Sequence, residues 1–82
     1  MSIPSAGPSS PESRLWDERV AIEARRQRLI EAAFDRSDAY ARLGDDRHAL
    51  DWLDRAEALS GGLSPAYRLA RTRMTRRIAR AR

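Results

Sequence analysis

The chain has 82 residues, with no cysteine, no lysine, sixteen arginines and twelve acidic residues, for a formal net charge of +4. A chain this short makes one domain at most and buries only about 60% of its unfolded surface, so its stability is marginal unless a partner or second copy adds to it. The missing cysteines exclude disulfides, thiolate metal sites and thiol nucleophiles, and no apolar run approaches the roughly 20 residues that span a membrane.

The charge is unevenly placed. Residues 1–63 hold nine arginines against twelve acids, whereas Ser64 to Arg82 hold seven arginines and no acid. One end of the molecule is therefore suited to an anionic partner: nucleic acid, a membrane surface or an acidic protein face. Arginine without lysine would serve bidentate recognition of phosphate or carboxylate. Codon bias in a G+C-rich genome gives the same composition, and Arg14, Arg19 and Arg25 stand where no site is evident. Met1 to Ser10 lacks the basic start and apolar run of a secretory signal, so a cytoplasmic location is expected.

In chain order, residues 1–10 are rich in serine and proline without helical or strand periodicity, which predicts a disordered tail ahead of a single helical domain over 11–82. A long first helix is predicted over about 11–43. Pro11 suits a first helical position and Glu12 the positive end of the helix dipole. Leu15, Ile22, Leu29 and Leu43 stand at sevenfold spacing, flanked by Trp16, Val20, Ile30, Ala33, Phe34 and Tyr40, and Arg36 interrupts the stripe. Asp35-Arg36-Ser37-Asp38 could also hold a kink or a new cap, which would make two helices meeting near Ser37.

Gly44 ends this element and Asp45 offers a cap for a second helix over about 45–60. Ala49, Trp52, Leu53, Ala56 and Leu59 recur at intervals of three and four, leaving Asp51, Asp54, Arg55 and Glu57 for the solvent side. Gly61-Gly62 closes it. Ser64 and Pro65 open a third helix over about 64–80, with Tyr67, Ala70, Met74, Ile78 and Ala81 at its apolar positions. Nothing alternates with period two, so the expected fold is all-α: a long helix followed by two shorter antiparallel ones.

Residues 30–63 carry a further pattern. With Gly44 at the turn, Tyr40 occupies a large aromatic position, Ser37 a small one, Ala49 and Ala56 two alanine positions, and Leu53 the bulky position between them. The stretch resembles a tetratricopeptide-type helical hairpin, in which alanines let antiparallel helices approach closely. It departs from the family at Ala33 and Arg36, where Trp and Leu are preferred, and at Gly61, where the family ends on Pro. The resemblance implies protein or peptide binding on a helical groove without catalysis. Such repeats usually occur three or more in a row, so a lone copy must cover its open face with the first helix, a partner or a second chain.

Arg73, Arg76, Arg77 and Arg80 stand at i, i+3, i+4 and i+7 and share one side of the third helix. Like charges at this spacing oppose the helix, by about 0.2 to 0.5 kcal/mol per pair. The helix dipole offsets part of this, and phosphates or acids such as Asp51, Asp54 and Glu57, in the same or another chain, could offset the rest. Without Asn or Gln in the segment, specific base reading is disfavoured, and the thin apolar face argues against a membrane. A solvated basic terminus is the plainest alternative. His48, the sole histidine, falls in the first turn of the second helix, where capping or solvent contact is commoner than catalysis or metal binding.

The sequence thus points to a small non-catalytic adaptor with no cofactor and no metal. Its expected hairpin core is Tyr40, Ala49, Trp52, Leu53, Ala56, Leu59, Tyr67 and Met74, and its expected partner site is Arg73, Arg76, Arg77 and Arg80. An acidic protein partner is expected, together with homodimerisation, for which the long first helix is the obvious element. The alternative is a nucleic-acid-associated accessory protein, related to transcription, with the same arginines on phosphates.

Overall fold

The structure, a computed structural model, describes residues 11–81, and the expected tail at 1–10 lies outside the described residues. Three helices follow one another: α1 (Pro11–Arg42), α2 (Asp46–Ser60) and α3 (Pro65–Arg80). No strand occurs among the described residues. α1 is unbroken through Ser37. The Ser37 hydroxyl does not cap a new helix there; it donates instead to the carbonyl of Ala49 at 2.8 Å, across to α2.

The turns follow from their residues. Gly44 adopts φ +81°, a left-handed conformation that costs glycine little. Its N–H donates to Ala41 O at 3.0 Å, and the Asp45 N–H donates to Tyr40 O at 2.9 Å, closing α1 with the paired bonds of a Schellman motif. Asp45 then serves α2, its carboxylate accepting the His48 N–H at 3.2 Å. One residue finishes the first cap and begins the second, so the connection is very short. Gly61, at φ +89°, ends α2 with its N–H on Glu57 O at 2.8 Å. Ser64 caps α3 ahead of Pro65, its hydroxyl accepting the Tyr67 N–H at 3.4 Å.

Cross-helix bonds fix the helix directions. Arg26 reaches Leu59 O at 2.8 Å while Ser37 reaches Ala49, so α2 runs back along α1. Arg71 meets Asp54 and Glu57 while Arg77 meets Asp46, so α3 runs back along α2. α3 also touches α1 through side chains. The rings of Phe34 and Tyr67 lie 4.5 Å apart, and the Tyr67 hydroxyl donates to Asp38 at 3.1 Å. Burial, followed by this bond to Asp38, pushes the Tyr67 phenol above its usual range.

The interior is made of small residues around one leucine. Ala33, Ser37, Ala49, Leu53, Ala56 and Met74 are buried, with Leu53 and Ser37 at 0% exposure. Small side chains on both helices let the backbones come close, and Leu53 fills the space beside them. Tyr40, Trp52, Leu59 and Tyr67 are only half-buried. The α2 hairpin covers only the C-terminal part of α1, and residues 12–29 are all exposed. The N-terminal part of α1 therefore projects from the hairpin and does not fold over it.

Candidate interaction site

α3 carries two sets of arginines with different roles. Arg71 faces α2 and pairs with both Asp54, at 2.9 Å, and Glu57. Arg77 spans to Asp46 through its Nε and Nη2, both at 2.9 Å. Arg77 holds the Asp46 carboxyl below its usual range, against a smaller opposing effect of burial. The acids of α2 thus take up one ridge arginine and one lying outside the ridge. Asp54 and Glu57, two of the acids expected to offset the ridge, take Arg71 instead, and the ridge's Arg77 takes Asp46, because the pairing depends on how α3 lies against α2.

Arg73, Arg76, Arg77 and Arg80 line an open cleft of ≈ 200 Å³. The side chains of Arg73, Arg76 and Arg80 make no hydrogen bond or ion pair with any described residue. Arg77 and Arg80 lie in the last turn of α3, where the helix dipole favours cations. The cleft contains no aromatic side chain. It is a cationic wall anchored at one point to the hairpin.

A second cleft, of ≈ 360 Å³, lies beside the end of α1 and is lined by Arg36, Ala39, Tyr40, Leu43 and Trp52. The Trp52 ring packs against two guanidiniums, with Arg36 at 4.7 Å and Arg55 at 4.4 Å from its centroid. Trp52 is therefore a half-exposed cation–π platform, not an interior residue. Arg36 interrupts the apolar stripe in the sequence, and that irregularity was the one available signal for this site. The stripe itself lies bare: Leu15, Ile22, Leu29 and Leu43 are 60%, 63%, 53% and 78% exposed.

His48 sits in the first turn of α2, with Nδ1 2.7 Å from Asp45 and its ring stacked on Tyr40 at 4.9 Å. Among the described residues, no group of three or more His, Cys, Asp or Glu is placed to hold a metal ion. No described helix is long and apolar enough to cross a membrane. No family model, no curated protein and no solved structure matches the chain.

Proposed function

We infer that the protein is a small non-catalytic interaction module that holds an acidic protein partner on the arginine wall of α3, with the bare stripe of α1 as a second contact surface. The observation that carries this reading is the contrast within α3. Arg71 and Arg77 are satisfied by carboxylates of α2, while Arg73, Arg76 and Arg80, on the same short helix, have no partner among the described residues. Guanidiniums brought together at this spacing repel one another, and an acidic segment would relieve the repulsion by the fork-to-carboxylate bonding that Arg77 already makes with Asp46. An all-arginine cleft offers nucleic acid no ring for base stacking, so nucleic acid would engage it through phosphates alone.

The α1–α2 hairpin is read as tetratricopeptide-type in geometry. Support comes from Ser37, Ala49 and Ala56, which occupy the small positions and are all at 0% exposure.

Fluorescence anisotropy with a labelled hexaglutamate peptide, a 20-base-pair duplex and a 20-nucleotide RNA tests the reading. The peptide is expected to bind most tightly. Substituting Arg73→Ala, Arg76→Ala and Arg80→Ala together should weaken it about tenfold or more while leaving helix content unchanged. Tighter binding of either nucleic acid, falling steeply between about 50 and 200 mM salt and lost in the same variant, would overturn it.

A further inference from the structure

We propose that the bare stripe of α1 is occupied by the α1 of a second copy, running antiparallel, with Leu15 of each chain seated in the Arg36–Trp52 cleft of the other. The proposal rests on reading that stripe as a contact surface and names its occupant.

Leu15, Ile22, Leu29, Arg36 and Leu43 are seven residues apart, and Glu18, Arg25, Ala32 and Ala39 fall three residues after the first four of them. The two rows make one seam along α1, on a different side from Ala33 and Ser37, which α2 covers. Within the seam, the two alanines, Ala32 and Ala39, lie toward the C-terminus, while Leu15 and Ile22 lie toward the N-terminus, Leu29 near the middle and Leu43 just past the end of α1. The seam's charged residues are Glu18, Arg25 and Arg36. Glu18 lies near one end and Arg36 near the other.

An antiparallel copy with its two-fold axis beside Gln27 sets the N-terminal large residues against the two alanines and the acid against a base. Leu15 falls opposite Ala39 of the second copy, Ile22 opposite its Ala32, and Glu18 opposite its Arg36. Each match occurs twice by symmetry. Arg25 falls beside Leu29 of the copy, where its aliphatic stem can cover the leucine while the guanidinium reaches water. Beside the axis, Arg28 falls opposite Arg26 of the copy, and Arg26 is drawn aside by its bonds to the carbonyl of Leu59.

A parallel pair would set Arg36 against Arg36, Glu18 against Glu18 and Arg25 against Arg25, three like-charge layers in one seam. The antiparallel register replaces the first two with two ion pairs. It also fills the ≈ 360 Å³ cleft, because Ala39 is one of its lining residues and Leu15 of the copy arrives over it. From residue 15 to residue 39 the pair is about 36 Å long, enough to bury on the order of 1,200 Å², the lower range for a stable interface.

Sedimentation of the full chain at about 50 µM should give a species of twice 9.3 kDa. Glu18→Arg or Arg36→Glu alone should raise the dimer dissociation constant about tenfold or more. The double swap should return it to within about threefold of the parent, which a merely structural role for either residue would not allow. Because the chain has no cysteine, single cysteines report the register. A mixture of Leu15→Cys and Ala39→Cys chains should cross-link on mild oxidation, and Leu15→Cys alone should not.

A 9.3 kDa species at every concentration, self-linking of Leu15→Cys, or no rescue by the double swap would each overturn the proposal. These results are independent of the acidic-peptide assay, since the substitutions at Arg73, Arg76 and Arg80 lie outside the seam. Failure of either proposal is therefore visible without the other.

Discussion

The Ser37 hydroxyl donates to the carbonyl of Ala49 at 2.8 Å, buried where α1 and α2 come together. This bond lies at a point of close helix approach, where a larger side chain does not fit. Ser37→Ala removes one buried hydrogen bond and should cost about 1 kcal/mol. Ser37→Leu forces the backbones apart and should cost about 3 kcal/mol or more. Urea unfolding followed by circular dichroism measures both, and a leucine variant as stable as the alanine variant would show that the helices leave room for a larger side chain at this contact.

Leu53 is the one large side chain at 0% exposure on α2. Leu53→Ala should cost about 2 to 5 kcal/mol, a large share of the total for a chain of this size. Leu53→Asp should abolish cooperative unfolding altogether, because it buries an unpaired charge. Helix content unchanged in Leu53→Asp would remove Leu53 from the core.

Gly44 and Gly61 sit at φ +81° and +89° with open space around the position of an added Cβ. Alanine at either site meets no neighbour, so its cost is conformational alone, about 1 to 2 kcal/mol. Asparagine, which tolerates the left-handed region better, should recover part of the loss. Thermal midpoints ranked glycine, asparagine, alanine at each site are the expected result.

Arg71 and Arg76 lie five residues apart on α3 and should behave differently. Arg71 links α3 to two carboxylates of α2, so Arg71→Ala should destabilise by about 1 kcal/mol, with the two carboxylates left to repel. Arg76→Ala touches no described partner and should stay within about 0.5 kcal/mol of zero. Equal effects would remove the distinction between the packed and the free arginines.

The carboxyl of Asp46 is held below its ordinary value of 3.8 by the bond from Arg77. A carboxyl with a lowered folded value stabilises fully above the unfolded value and loses that contribution as pH falls through the folded one. The urea midpoint of the parent should therefore drop between about pH 5 and pH 2 by more than that of Asp46→Asn. Identical acid profiles would mean that the Asp46–Arg77 pair contributes nothing to folding.

The sequence by itself determined the elements. Local chemistry sufficed for Gly44, Gly61, Ser64 and Pro65, because a left-handed turn, a hydroxyl cap and a fixed φ are properties of single residues. Three helices and their ends follow from those positions with errors of a residue or two. The arginine row of α3 was legible for the same reason, since spacing within one helix decides which side chains share a side.

Only the tertiary structure decided which surfaces are used. The sevenfold stripe of large residues is the strongest periodic signal in α1, yet it stays bare, and α2 packs on the weaker row of Ala33 and Ser37. Close helix approach selects small residues, which hydrophobic periodicity hardly registers. The pairing of Arg71 with Asp54 and Glu57, and of Arg77 with Asp46, likewise depends on how α3 lies against α2. Charge along a chain fixes how many arginines there are, but packing between helices fixes which remain free, and that is why the cleft came down to Arg73, Arg76 and Arg80.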